Sequence, residues 1–301
     1  MTDVIILGGG PAGLTAGLYA ARAGLSAILF EGELVGGQAS TTDKLENYPG
    51  FPDGVGGPEL MMAFEAQATR LGLQIKYETV TQVDLKAKTV HTRKGVYEAR
   101  ALILATGAKR KKLGVPGEDA LTGRGISYCA TCDGALYRGK QVCVVGGGAT
   151  ALEDAAYLSG LCEKVTLIHR RDTLRADGKM IERVKANPKV NFCWDSVVSG
   201  LKKTESGIEL TLRSTKTDQS TEIECAACFV AIGTEPVTAI YRGQVEMDEA
   251  GYVRAGEDTK SGEPGVFAAG DLRTKQLRQI ITAASDGAVA VSSLLAYLSG
   301  H

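Results

Sequence analysis

The sequence predicts an α/β protein built from two three-layer (ββα) domains, the second inserted in the first. Three observations carry that expectation. A strand, glycine loop and helix pattern occurs twice, its copies keep a constant spacing, and a strand of the first type returns near the C-terminus.

The first copy runs from Val4-Ile5-Ile6-Leu7 into Gly8-Gly9-Gly10-Pro11-Ala12-Gly13 and an alanine-rich helix ending near Gly24, then returns through Ala27 to Phe30. The second runs from Val142 to Val145 into Gly146-Gly147-Gly148-Ala149-Thr150-Ala151 and a helix ending near Gly160, then Val165 to Ile168. Gly8 to Gly146 and Glu31 to His169 are both 138 residues, so the copies align without a gap. Leu102-Ile103-Leu104-Ala105-Thr106-Gly107 and Phe229-Val230-Ala231-Ile232-Gly233 form a second pair of echoes, read as buried strands that end on glycine. After the second copy, Val266-Phe267-Ala268-Ala269-Gly270-Asp271 is a strand ending in an acidic residue, with a helix beginning near Arg278-Gln279. The first domain is therefore expected to be discontinuous, residues 1–112 with 240–301, around an inserted domain at 113–239. Both crossings, 113–117 and 233–236, are rich in turn residues.

Each glycine loop lies between a strand and a helix, the context in which G-x-G-x-x-G binds a dinucleotide. Gly8, Gly10 and Gly13 in one copy, and Gly146 and Gly148 in the other, permit a tight turn and let backbone N–H groups approach a pyrophosphate. The helix N-terminus adds partial positive charge. Pro11 and Ala12 suit the first helical positions, where no N–H bond is lost. Ala149 and Thr150 open the second helix, and Ala151 in place of a third glycine is compatible with close packing. A structural glycine turn accounts for one such loop, not for two in register. Two Rossmann-like dinucleotide-binding domains are expected.

The residue that ends the second strand of each copy selects the ligand. Glu31 accepts hydrogen bonds from a ribose diol and would repel a 2′-phosphate. The matching stretch His169-Arg170-Arg171, with Arg175 following, offers guanidinium groups that pair bidentately with phosphate, which argues for NADP over NAD. Gly36-Gly37-Gln38, Thr41-Thr42 and Glu46-Asn47 make a polar stretch suited to wrapping a long cofactor. Asp271 is placed to hold the ribityl hydroxyls of FAD, with the following helix facing the flavin.

Cys129-Ala130-Thr131-Cys132-Asp133-Gly134 lies within the inserted domain. A Cys-x-x-Cys closes a small disulfide when the chain turns, and a helix N-terminus lowers a thiol pKa. Asp133 is positioned to exchange the proton that dithiol–disulfide chemistry requires. The competing reading is half of a zinc site completed by Cys225 and Cys228. Those two lie in an apparently extended run, where three strand steps set Cα atoms ~10 Å apart with side chains facing opposite ways, so they are read as structural. Cys143, Cys162 and Cys193 are read as small buried apolar residues.

Along nearly its whole length the chain resembles the low-molecular-weight thioredoxin reductases, FAD- and NAD(P)-linked class II pyridine nucleotide-disulfide oxidoreductases. The resemblance lies in GGGPAG (8–13), GGQ (36–38), ENYPGFP (46–52), LILATGA (102–108), CATCDG (129–134), GGGATALE (146–153), HRRDTLRA (169–176), FVAIG (229–233), VFAAGD (266–271) and RQIITAASDG (278–287). It implies electron transfer from NADPH through FAD to a Cys129–Cys132 disulfide and on to thioredoxin, in a cytoplasmic homodimer. In that family the cysteine matching Cys132 lies against the flavin, the one matching Cys129 attacks the protein substrate, and the aspartate matching Asp133 is the acid/base. The resemblance implies FAD contacts from Gly8, Gly10, Pro11, Ala12, Gly13, Glu31, Gly37, Gln38, Thr42, Asn47, Val83, Ala105, Thr106, Gly107, Gly270, Asp271, Arg278, Gln279 and Ile280. It implies NADPH contacts from Gly146, Gly148, Ala149, Thr150, Ala151, His169, Arg170, Arg171, Arg175, Ile232 and Gly233. Ala149 departs from the polar residue often found there, which weakens one pyrophosphate-side bond.

Other classes fit less well. With 34 basic and 35 acidic residues there is no excess charge for nucleic acid or an anionic membrane. Uninterrupted apolar runs are strand-length, short of the ~20 residues of a membrane span. Thr2 and Asp3 lead directly into the first strand, so no signal peptide is expected. Seven scattered cysteines argue for a reducing compartment. Of three histidines, His91 and His301 lie outside any motif, and no G-x-S-x-G occurs, so a hydrolase is not expected. The alternatives kept open are a flavin reductase of another disulfide protein, in a peroxiredoxin or glutaredoxin-like system, a ferredoxin-linked variant, and a flavin-dependent redox sensor without turnover. Lys109 to Lys112 is read as a solvated basic face, and Met61, Met62 and Trp194 as core or surface filler.

Overall fold

The computed structural model describes residues 1–32, 35–42 and 44–300, so His301 lies outside the described residues. The chain opens with β1 (Thr2–Leu7), α1 (Pro11–Arg22), β2 (Ala27–Glu31), α2 (Gly57–Arg70), β3 (Gln74–Tyr77), β4 (Val80–Asp84), β5 (Thr89–Thr92) and β6 (Gly95–Leu104). It crosses through β7 (Ala108–Arg110) to α3 (Glu118–Leu121), β8 (Ile126–Ser127), α4 (Ala130–Asp133), β9 (Gln141–Val145), α5 (Ala149–Leu161), β10 (Lys164–Ile168) and α6 (Gly178–Lys185). Then come β11 (Val190–Cys193), β12 (Ser196–Lys203), β13 (Ile208–Ser214), β14 (Ser220–Cys225) and β15 (Ala227–Val230). It returns through β16 (Thr234–Pro236) to β17 (Val266–Ala268) and α7 (Ile280–Leu298).

Two compact units result, Met1–Lys109 with Glu235–His301, and Arg110–Thr234. The crossings lie at 109/110 and 234/235; the second falls within the turn stretch 233–236, the first just ahead of 113–117, and the expected bound at 239/240 lies five residues late. Hydrogen bonding sets them. The Val237 N–H donates to the Gly107 carbonyl at 2.9 Å, and Thr106 Oγ1 donates to the Val237 carbonyl at 2.6 Å. Tyr241, just beyond, is fully buried in the first unit's core. Between the crossings, β7 and β16 pair as a two-stranded ribbon.

In the first unit β3, β2, β1 and β6 pair in that order, all parallel, and β17 adds to the far edge of β6. β6 is long enough to serve two sheets. Its first half pairs antiparallel with β5, which pairs with β4. Side chains alternate across a strand, and β1 shows the consequence. Val4 and Ile6 pack with Leu14, Ala16, Ala290 and Leu294 of α1 and α7. Ile5 and Leu7 pack on the other face with Val83, Leu85, Val90 and Tyr241. A strand buried on both faces reads as continuous apolar sequence, which is why Val4 to Leu7 has no polar interruption.

The second unit repeats the plan. β11, β10, β9, β15 and β8 form a parallel sheet, and β12, β13 and β14 a separate antiparallel one. Val142 and Val144 face Leu152, Ala155 and Leu158 of α5, while Cys143 and Val145 face Ile208, Leu210 and Leu212 of β13. Each unit is thus a ββα stack of Rossmann type, the fold class the repeat predicts.

Three expectations are corrected. Cys225 and Cys228 do not face opposite ways from one extended run. Cys225 ends β14, the chain bends at Ala226, and both thiols lie in the cluster that holds Cys143. Cys193 is only half-buried, its thiol donating to Ser196 Oγ at 3.3 Å. Among the described residues, α7 is long and apolar enough to cross a membrane, which a search for uninterrupted runs misses because Thr, Ser, Asp and Gly break it up. Its face packs on α1 in the core.

Candidate active site

In the first unit the glycine loop is shaped by backbone crowding. Gly8, at the end of β1, has φ +107, and a Cβ there would run into the Ala105 carbonyl. At Gly13 a Cβ would overlap the Gly8 carbonyl oxygen, so the first turn of α1 lies directly on the loop. Gly10 is different: nothing lies within 4 Å of where its Cβ would be. It caps α1 with no side-chain hydrogen bond, and Pro11 occupies the first turn as expected. The result is a bare, N–H-lined surface at a positive helix end, the shape and chemistry a pyrophosphate requires. Gly8→Ala is expected to abolish flavin retention, since the side chain meets backbone at a φ unfavourable to any other residue; flavin absorbance per protein after gel filtration measures this.

Several of the other expected cofactor residues lie against that loop, and others against one another. The Glu31 carboxylate at the end of β2 accepts the Gly9 N–H at 2.8 Å, which fixes it beside the loop. Gly36 donates its N–H to the Gly9 carbonyl at 2.8 Å, and Gly37 starts a short 3₁₀ helix to Thr41 that carries Gln38 and leads into Thr42. Gln38 Nε2 donates to the Ala108 carbonyl. Asn47 Nδ2 donates to Gln279 Oε1 at 3.1 Å, joining residues 232 apart in sequence. Ala105, Thr106 and Gly107 continue from β6 against Gly8. Gly270 and Asp271 follow β17, with a Cβ at Gly270 contacting Ala12. Arg278 lies with its guanidinium 4.2 Å from the Tyr252 ring centroid, and Gln279 caps α7, which begins at Ile280. Val83 lies in β4, its side chain 2% exposed in the core and its carbonyl accepting Gln244 Nε2 at 2.9 Å.

One group in this unit escaped the sequence reading. Asp286 is 6% exposed inside α7 and accepts four charge-assisted or backbone bonds: Arg273 Nε at 2.8 Å, Arg273 Nη2 at 2.7 Å, Lys275 Nζ at 2.8 Å and the Gly270 N–H at 2.8 Å. Asp286 thereby holds the turn that presents Asp271. It is the one ionisable acid or base in the helix Ile280–Leu298 that is not a tyrosine, and a charge buried in such a helix needs partners. That was the available signal.

The second unit has its own loop. Gly146, φ +152, packs against the Ala231 carbonyl, and Ala151 is fully buried beneath it. Gly148 caps α5 with no side-chain bond, and Ala149 and Thr150 form the first turn. The His169 ring covers Gly147, as Glu31 covers Gly9. Its Nε2 lies 3.0 Å from the Thr173 carbonyl. Burial, then the charges of Arg170, Arg171 and Arg175, lower the His169 pKa and outweigh the Thr173 bond. The Arg175 N–H donates to the Gly147 carbonyl at 2.7 Å, which brings the third arginine back to the glycine loop. Ile232 and Gly233 follow β15 in chain order, with Gly233 at φ +104. The charges of Arg170, Arg171 and Arg175 on His169 make this loop's surroundings cationic, where Glu31 makes the first loop's acidic.

The same unit carries the sulfur pair. Cys129 and Cys132 are disulfide-bonded with Cα atoms 5.2 Å apart. Cys129 is the N-cap of α4, and its Sγ accepts the Cys132 N–H at 3.2 Å. Ser127, at the end of β8, donates its hydroxyl to Asp133 Oδ2 at 2.6 Å and accepts the Cys129 N–H at 3.1 Å. One buried hydroxyl thus fixes both the first cysteine and the neighbouring acid.

Two dinucleotide-shaped loops on consecutive ββα units, one bearing a reducible disulfide, define a nucleotide-linked disulfide oxidoreductase. Residues 2–287 match the Pyridine nucleotide-disulphide oxidoreductase family, and the chain belongs to it. It is a flavoprotein disulfide oxidoreductase that uses a flavin and a nicotinamide nucleotide. Among relatives, it is 46% identical over 303 residues to the thioredoxin reductase of Streptomyces clavuligerus, covering 99% of this chain and 94% of that one. It is 44% identical over 303 residues to the bifunctional thioredoxin reductase/thioredoxin of Mycobacterium leprae, covering 99% and 66%. Its structure is similar to that of thioredoxin reductase from Streptococcus pyogenes, with TM-score 0.94, 41% identity and 100% and 99% coverage.

Proposed function

We propose that the chain is a thioredoxin-disulfide reductase, moving two electrons from NADPH through FAD to Cys129–Cys132 and then to thioredoxin. The observation that carries this is a Cys-x-x-Cys disulfide, with an aspartate beside it, on the unit that also holds the arginine-rich glycine loop. FAD is assigned to the unit formed by residues 1–109 and 235–301, and NADPH to residues 110–234. The relative that joins a reductase to a thioredoxin in one chain supports the partner.

FAD bound by the first unit would supply two-electron transfer between the nicotinamide and the disulfide. The chain's residues do the rest. Glu31 and Asp271 hold hydroxyls, the glycine loops hold pyrophosphates, and Arg170, Arg171 and Arg175 hold the 2′-phosphate. Once reduced, Cys129 attacks a sulfur of the substrate disulfide as thiolate, forming a mixed disulfide and releasing one substrate thiolate. Cys132 then attacks Cys129 Sγ, which releases the second substrate thiol and restores the Cys129–Cys132 bond. Asp133, oriented by Ser127, takes the proton from one thiol and delivers it to the leaving sulfur. Overall, NADPH, one proton and a disulfide become NADP⁺ and a dithiol. Because the disulfide and the nicotinamide site share one unit and both must reach the same flavin, the units are inferred to rotate about the crossings between half-reactions. The assembly is inferred to be a homodimer working in a reducing compartment.

Anaerobic titration tests the proposal: NADPH should bleach the flavin and expose two new reactive thiols, and thioredoxin should then consume them. Oxidation of NADPH without new thiols would overturn it. Substituting Arg170 and Arg171 by alanine should raise the KM for NADPH about 10–100-fold, as expected for losing one or two phosphate pairs, while the KM for NADH changes little.

A further inference from the structure

We propose that Glu118 is a positioning residue for the redox pair, tying the first crossing between the units to the segment that carries Cys129. The inference rests on reading Cys129 and Cys132 as the reducible pair. Glu118 follows Gly117, whose φ of +87 turns the chain inward, and it is 3% exposed in the first turn of α3. Its Oε1 accepts the Leu113 N–H at 2.7 Å and the Tyr128 O–H at 2.6 Å. Its Oε2 accepts the Gly114 N–H at 2.8 Å. Two of these donors are backbone just past the first crossing, after β7. The third belongs to the residue immediately before Cys129.

The surroundings close the connection. Tyr128 packs with Leu113 and Val115 against the cluster under β13, and the Arg110 guanidinium carbon lies 5.6 Å from its ring centroid. Burial, then the bond to Glu118, raises the Tyr128 pKa, so the phenol remains a donor. On the far side of Tyr128, Ser127 fixes both Cys129 and Asp133 through its hydroxyl. A shift of residues 110–114 must therefore move the Tyr128 side chain or break a bond to a buried carboxylate. An apolar side chain at 118 would fill the same space without desolvating a charge. A buried carboxylate satisfied by three convergent donors enforces one geometry more than it adds stability. That geometry spans the crossing and the sulfur that meets the substrate.

Holoenzyme carrying Tyr128→Phe or Glu118→Gln tests this. Three quantities are measured: hydrogen exchange of residues 110–117, the iodoacetamide alkylation rate of Cys129 in the NADPH-reduced protein, and the separate rates of flavin bleaching and thioredoxin reduction. Exchange at 110–117 should quicken about 10-fold as the local opening free energy falls. Cys129 alkylation should change by about threefold or more, and thioredoxin reduction should slow about fivefold, while bleaching by NADPH stays within about twofold. If exchange quickens but alkylation and thioredoxin reduction match wild type, Glu118 is only local scaffolding and the inference fails; unchanged exchange overturns it too. Should Glu118→Gln not fold, Tyr128→Phe alone decides, since it removes a single hydroxyl. Wild-type protein that gains no thiols on NADPH addition would instead refute the functional reading itself.

Discussion

Cys132→Ser is expected to reduce thioredoxin-reducing activity on the order of 10³-fold or more, because it removes a bond-forming atom and not a supporting contact. The separation between half-reactions is the informative part. Bleaching of the flavin by NADPH should persist, since the arginine-rich loop and both glycine loops are untouched. Only Cys129 should be alkylated after reduction, one thiol in place of two. A mixed disulfide between Cys129 and thioredoxin should accumulate, because the resolving sulfur is absent. A Cys132→Ser protein that retains appreciable thioredoxin turnover would exclude this pair as the electron exit.

The largest stability effect is expected at Asp286. Asp286→Ala leaves Arg273 and Lys275 buried without their counter-charge and the Gly270 N–H without its acceptor. Breaking a buried pair from one side costs about 3–5 kcal/mol. For a chain of this size that lowers the melting temperature by roughly 5–8 °C, with loss of flavin because the Gly270–Asp271 turn is released. Asp286→Asn keeps an acceptor for Gly270 and should recover flavin content more than melting temperature. The pH dependence has a defined sign. Burial pushes the Asp286 carboxyl up, but hydrogen bonds from Arg273 and Lys275 outweigh it and hold the pKa below the usual value. Such a group contributes stability above its unfolded pKa of about 3.9 and loses it as pH falls through the lower folded value. Acid titration of wild type should therefore show a stability loss that Asp286→Asn lacks. Equal acid sensitivity of the two proteins would remove the carboxylate from this role.

Much of the architecture could be read from residue spacing. The uninterrupted apolar strands, the glycine loops and the 138-residue offset gave both ββα units, because strand burial and the demand for bare glycine are local properties. The paired cysteines were legible for the same reason: they lie three residues apart in one turn, where the structure closes the disulfide. The turn stretch 233–236 contains the second crossing, whereas the first lies a few residues before 113–117, since turn composition marks where a chain bends and not which side hydrogen-bonds to it. Cys225 and Cys228 were read as one strand, and a bend at Ala226 puts both into one cluster.

Features carried by neighbouring residues were thus available without coordinates: two glycine loops between strand and helix, and a reducible sulfur pair. Folding alone supplied the groups that hold those parts still. Ser127 on Asp133, Glu118 between Leu113 and Tyr128, and Asp286 beneath Gly270 each join separate turns of chain. A buried hydroxyl or carboxylate has no characteristic spacing from its partners. Its role is set by which donors the packed chain brings within about 3 Å, and only the assembled units determine that.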